Sequence, residues 1–303
     1  MLTSLLSLYI ASSLDLNLAN NLVVNEVVPN IESKIASFSL ASLDQNNFTP
    51  IKNPRYISPI IDARSSIVVD LSTGKILYEK NKHQRLAIAS ITKLMTALVI
   101  LEENNLDEIT IVSTNAANTE GSTMHLRIGE EISIENLLLG IIVNSANDAA
   151  ISLAEHNAGT VEVFVEKMNK RASELGLINS NFTNPTGLDD YHNYSSSYDI
   201  AKLGRFIYNN KFIQSTAEIK NIEVSSVTGD YIHYLENTNE LLDSYLKVKG
   251  LKTGKTDKAG LCLTAIAENN KGHEILTVLL DSPARFTETK ILIDWIFKAY
   301  KWY

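Results

Sequence analysis

KGLKTGKT, residues 249–256, ends in Gly-Lys-Thr and so suggests a phosphate-binding loop at the head of a helix. Such a loop needs a glycine, four arbitrary residues and then Gly-Lys-Thr. Counting back from Gly254, that glycine should stand where the chain has Lys249, and Gly250 leaves only three residues between. The flank is wrong as well, because a phosphate loop opens a helix whose N-terminus faces the anion. Here the chain runs on as DKAGLCLTAIAENNKGHEILTVLLD, residues 257–281. Residues 261–267 and 275–280 are apolar and partly β-branched, with ENNKG between them, the pattern of two strands joined by a turn. Lys252-Thr253-Gly254 is thereby placed on or beside a sheet edge, and neither a nucleotide nor a nucleotide-binding fold is expected.

Outward from that edge, strand patterns appear at both ends of the chain and helical ones between. In SSIVVDLSTGKILYEKN, residues 65–81, two strands flank the turn residues Ser72-Thr73-Gly74. Next, SITKLMTALVILEE carries Ile91, Leu94, Met95, Leu98 and Leu101 at helical spacing, which predicts a mostly buried helix. Residues 134–210 read as mainly helical, interrupted by loops such as TNPTGLDDYHNY, residues 183–194. Sheet patterns return near 220 and end near 280. Ser282-Pro283 then predicts a last helix with proline at its first position, and Leu292, Trp295, Ile296 and Ala299 give it an apolar face. The expected fold class is α+β: an antiparallel sheet built from both ends of the domain, flanked by helices, with a helical lobe inserted.

Three segments are expected. Residues 1–20 include MLTSLLSLYIASSL, apolar, uncharged and too short to span a bilayer, which reads as a signal or anchor without the usual positive start. Residues 21–60, punctuated by Pro29, Pro50, Pro54 and Pro59, read as a poorly ordered linker. Residues 61–303 form the main domain. A formal net charge of −8 with no long basic run argues against nucleic-acid binding. The single cysteine, Cys262, excludes an internal disulfide and any cysteine-based metal cluster, and the six histidines show no ligand spacing. No metal or cofactor is expected.

A serine followed three residues later by lysine places a hydroxyl and an amine on one helix face, the raw material of a nucleophile and its base. The chain holds this spacing at Ser72–Lys75, Ser90–Lys93 and Ser244–Lys247. Only Ser90 stands at the head of a buried helix. There the dipole favours developing negative charge, and partial desolvation would lower the lysine pKa. Alone, this pattern fits a capping serine with a snorkelling lysine equally well. Ser145-Ala146-Asn147 lies where two helical patterns meet, fitted either to cap a helix or to point into a cleft. Lys252-Thr253-Gly254 gives a cation beside open backbone, along which an extended peptide could add as a strand, although edge lysines also serve to prevent aggregation.

Taken in order, SITK, SAN and KTG resemble the three motifs of the serine-type D-alanyl-D-alanine carboxypeptidases among the low-molecular-weight penicillin-binding proteins. So do the contexts ASITKLMTALVILE, VNSANDAAISLAEH, TNPTGLDDYHNYSSSYDIAKLGR and VKGLKTGKTDKAGLCLTAIA. The resemblance covers roughly residues 60–300 and implies the penicillin-binding, β-lactamase-like transpeptidase fold, with its site between sheet and helical lobe. It implies Ser90 as the acyl-forming nucleophile, Lys93 as general base and Ser145 in the proton relay. Asn147 would bind the substrate amide, Lys252 and Thr253 its carboxylate, and Gly254 would keep the backbone open. The oxyanion hole would be the backbone N–H groups of Ser90 and Lys255. Lys252 is also expected to depress the pKa of Lys93. The implied partners are peptidoglycan stem peptides, with β-lactams as covalent inhibitors. The implied location is extracytoplasmic, without the C-terminal anchor many relatives carry, because the sequence stops at Tyr303. Removal of terminal D-Ala is the leading activity and D,D-endopeptidase cleavage of cross-links the runner-up. A class A β-lactamase would need a deacylating glutamate in an E-x-x-L-N setting, which the helical lobe does not supply. A catalytically silent wall-binding or β-lactam-sensing protein would need neither Ser90 nor Lys93.

Overall fold

Both faces of the central sheet are covered, which is why its strands read as apolar runs rather than as alternations. The computed structural model describes residues 49–303. The expected signal or anchor at 1–20 and the first part of the expected linker, 21–48, lie outside the described residues. Within the rest of that linker, Ile51–Lys52 pair antiparallel with Tyr300–Lys301, so this part is held against the end of the chain.

In chain order the main elements are β1 (Ser65–Asp70), β2 (Ile76–Lys80), α1 (Lys93–Glu103), α2 (Ile134–Val143), α3 (Asn147–Ala158), α4 (Val161–Glu174), α5 (Ser197–Ile207), β3 (Lys247–Thr256), β4 (Gly260–Glu268), β5 (Glu274–Ser282) and α6 (Arg285–Ala299). The sheet runs β2-β1-β5-β4-β3, and every neighbouring pair is antiparallel. Strands from both ends of the domain therefore build one sheet, and the fold is α+β as expected. The expected turn at Ser72-Thr73-Gly74 is closed by Asp70, whose carboxylate accepts from the backbone N–H of Thr73 at 2.8 Å and from the hydroxyls of Ser72 and Thr73.

Side chains alternate across the strands. Ile67, Val69, Leu276, Val278 and Leu280 pack into the larger core, with α1, α2 and the helical lobe. Val68, Ile275 and Leu279 face the other way, onto Leu292, Ile293 and Ile296 of α6. That last helix starts at Arg285, two residues after Pro283. Ser282 is spent as the last residue of β5, and its hydroxyl bonds Glu288 instead of capping the first turn.

β3 is the edge strand at the end of the sheet away from β2, and the site forms along it. Its register slips between Val248 and Leu251, at Gly250 with φ +105°. A Cβ at Gly250 would come 2.5 Å from Ala217 Cβ, so glycine lets the strand pass close to the short helix Lys211–Ala217.

Candidate active site

Ser90 sits in a single 3₁₀ turn, Ala89–Thr92, that leads directly into α1. In 3₁₀ geometry side chains three apart eclipse one another, which stacks Ser90 over Lys93 more closely than an α-helix would. The turn is entered through Ala89 at φ +49°, a left-handed conformation that non-glycine residues adopt at a cost of about 1–3 kcal/mol. Two glycines pack against it. A Cβ at Gly187 would fall 2.0 Å from Ala89 O, and one at Gly254 would fall 2.9 Å from Ala89 Cβ and 3.1 Å from Ser90 N. Only bare backbone fits at either place, so β3 and the 183–194 loop both close directly onto the serine turn.

The Lys93 side chain is fully buried. Its Nζ lies 2.6 Å from Asn147 Oδ1, 2.6 Å from Thr186 O and 3.1 Å from Ser90 Oγ. Two of these partners are acceptors only, and a neutral amine has two N–H groups and one lone pair. Donating to both carbonyls leaves the lone pair for the Ser90 hydroxyl. The electrostatics favour the same state. Burial, then the Lys252 charge, hold Lys93 well below the ordinary lysine range, and Asp148 opposes them. The expected influence of Lys252 on Lys93 is present, as the second cause after burial.

Asn147 is the first residue of α3, and Ser145 lies in the turn before it at φ +60°, both nearly buried. The loop 118–126 fixes this turn. Asn147 Nδ2 donates to Glu120 O at 2.6 Å and Asn147 N to Ser122 O at 2.6 Å. Asp148 accepts from Met124 N at 3.1 Å and Leu126 N at 3.0 Å.

Across the cleft, Lys252, Thr253 and Gly254 pair with Thr264, Leu263 and Cys262 of β4. An edge lysine that guards against aggregation would point to solvent, but Lys252 is 1% exposed. Burial, then the nearby Arg285, bring its pKa down to about 7. The Thr253 hydroxyl meets that of Thr238 at 2.5 Å. Lys255 carries an exposed side chain and pairs with Leu261.

The structure thus joins Lys93 to Ser90 and Asn147, sets Gly254 against the serine turn and brings the Lys252 charge to bear on Lys93, with Thr253 and Lys255 on the same strand and Ser145 in the turn before Asn147. The other serine–lysine spacings do not converge: Ser72 bonds Asp70 while Lys75 bonds Pro50 O, and Ser244 bonds Leu241 O while Lys247 bonds Glu268. Sequence reasoning missed Ala89, Thr186, Gly187, Asp148 and Arg285. Arg285 donates to Gly254 O at 2.7 Å and adds a second cation beside Lys252. The Asn-Pro-Thr-Gly turn signal was visible around Thr186, but the direction of one carbonyl carries no mark in sequence.

Comparison with known proteins finds similar chains. Residues 52–284 match the family described as D-alanyl-D-alanine carboxypeptidase. The chain is 37% identical over 257 residues to D-alanyl-D-alanine carboxypeptidase DacF of Bacillus subtilis, covering 79% of this chain and 63% of that protein. A D-alanyl-D-alanine endopeptidase of Pseudomonas aeruginosa is 34% identical over 226 residues, covering 74% of this chain and 72% of that one. Among solved structures, the Streptomyces K15 DD-transpeptidase superposes with a TM-score of 0.75 at 30% identity, covering 80% of this chain and 99% of that one.

Proposed function

This chain belongs to the D-alanyl-D-alanine carboxypeptidase family, and from that membership we propose that it removes the terminal D-Ala of peptidoglycan stem pentapeptides through an acyl-enzyme on Ser90. The observation that carries the proposal is the buried Lys93 Nζ within hydrogen-bond distance of Asn147 Oδ1, Thr186 O and Ser90 Oγ, where a neutral amine donating to both carbonyls would turn its lone pair to the serine. In the proposed reaction Lys93 takes the serine proton as Oγ attacks the carbonyl of the penultimate D-Ala. The backbone N–H groups of Ser90 and Lys255 stabilise the oxyanion, an interaction worth several kcal/mol in related chemistry. Ser145 relays the proton to the departing amine, and Asn147 holds the substrate amide. Lys252, Thr253 and Arg285 receive the terminal carboxylate. Water then hydrolyses the ester with Lys93 again as base.

Peptidoglycan as substrate puts the site of action outside the cytoplasm. Among the described residues no helix is long and apolar enough to cross a membrane. β-Lactams, as mimics of the acyl donor, would acylate the same serine.

The experiment is mass spectrometry of purified stem pentapeptides and cross-linked dimers incubated with the protein, with Ser90→Ala as control. Loss of a single D-Ala by the wild type alone supports the proposal. Labelling by a fluorescent penicillin should also vanish in Ser90→Ala, and labelling that persists would move the nucleophile elsewhere. The Pseudomonas relative's name supports a second reading, D,D-endopeptidase activity. Cleavage of dimers in preference to pentapeptide would favour it.

A further inference from the structure

His233 lies buried on the hairpin strand Ile232–Glu236, with no part in the chemistry above. Its ring joins two segments far apart in sequence. Nδ1 lies 2.8 Å from Met124 O and Nε2 lies 2.6 Å from Glu130 Oε1. Both partners are oxygens. A neutral imidazole donates from one nitrogen only, so a neutral ring facing a carbonyl and a carboxylate would leave one contact lone pair to lone pair. The other Glu130 oxygen accepts from Arg127 N at 3.0 Å, as suits a carboxylate. Met124 is the same residue whose N–H, with that of Leu126, is spent on Asp148, while Glu120 O and Ser122 O are spent on Asn147.

We infer that His233 is a positioning residue: as an imidazolium donating from both nitrogens, it clamps the 120–130 loop and so fixes Asn147 and Asp148 in the site. This rests on the reading of Asn147 as a substrate-binding group. The charged groups bearing on the ring are Glu130 from the loop and Asp148 from α3. Burial pulls the His233 pKa down, but the Glu130 carboxylate, the Met124 carbonyl and Asp148 together outweigh it and raise the pKa. Arg127 of the same loop lies over the Tyr231 ring. On the hairpin itself, Glu236 and Glu223, the latter opposite Tyr234, occupy the exposed face away from His233. The clamp is therefore closed while the ring is charged and opens as pH rises through the raised His233 pKa.

The test begins with ¹⁵N NMR of histidine-labelled wild type. Both His233 nitrogens should be protonated at pH 7 and titrate above the ordinary histidine value near 6.5. Hydrogen exchange at Met124 and Leu126 should accelerate at least tenfold in His233→Gln, which can donate from one nitrogen only, with helix α1 unaffected. Glu130→Gln should shift the histidine titration down, and shift the alkaline loss of penicillin acylation with it. A ring that is neutral at pH 7 beside protonated Glu130 would overturn the inference. So would unchanged loop exchange in a folded His233→Gln. Should that variant fail to fold, the wild-type titration and Glu130→Gln still decide. Neither the titration nor the exchange depends on turnover, so a protein inactive on stem peptides but passing both would fail the functional reading alone.

Discussion

Two buried lysines set the behaviour of the site at the residue scale. Lys252 has a pKa of about 7, so it is a proton-sensitive anchor rather than a permanent cation. A substrate carboxylate favours its protonated form. The KM for D-Ala-terminated peptide should thus rise with pH above about 7, while that for the C-terminally amidated peptide should not, which pH–KM profiles on both substrates would reveal. Lys252→Ala should lower kcat/KM on the free carboxylate about 10- to 100-fold, since a charge-assisted hydrogen bond contributes roughly 1.5–3 kcal/mol. Amidation should cost the wild type about as much and the variant little more, a double cycle that isolates the contact. The same shift has a stability consequence. A lysine whose folded pKa is depressed binds fewer protons folded than unfolded, so its penalty is absent above about 10.5. The penalty grows as pH falls and is complete below about 7. Lys252→Met should accordingly melt higher than wild type at pH 6, with the gap closing toward pH 10. Each kcal/mol recovered raises Tm by about 2–4 °C in a domain of this size. A lower Tm at pH 6 would mean that the lysine holds the fold together.

At the scale of elements, the serine turn is shaped from outside. Ala89 keeps its left-handed conformation because β3 and the 183–194 loop press glycines against it. Gly254→Ala should push β3 back by a few tenths of an ångström, because its Cβ would meet Ile88 O at 3.0 Å. Penicillin acylation should slow at least tenfold with little change in Tm. Gly187→Ala meets backbone at 2.0 Å and must also hold φ +84°, so it should lose more than about 1 kcal/mol of stability in denaturant titrations. These contacts mark where the sequence stopped being legible. The three motifs, their elements and the rejection of a phosphate loop came from spacing and flanks, which are local. The left-handed Ala89, the inward Thr186 carbonyl and the Arg285 cation depend on packing between segments far apart in sequence, 31 residues for Arg285 and Gly254 and 93 for Lys93 and Thr186. Even the start of α6 was misplaced, because serine-proline looks alike at a helix start and at the end of a strand.

For the whole molecule, the α+β layout was legible because apolar runs of strand length stood at both ends and helical periods between. What sequence could not show is how evenly α6 seals the second face. Leu292→Ala there should cost about 2–5 kcal/mol, readable as a lower denaturation midpoint, with acylation by penicillin retained below that midpoint. The order β2-β1-β5-β4-β3 has one more consequence. Strand β1, complete at residue 70, hydrogen-bonds to β5, which begins at residue 274. On the ribosome, that early hairpin must wait some two hundred residues for its neighbour, and the intervening helices must collapse without the sheet they will lean on. Pairings so distant in sequence close slowly. The time between synthesis and activity should therefore be set by threading the last strands into place, and a chain held extended until complete would escape much of the misfolding that waiting invites.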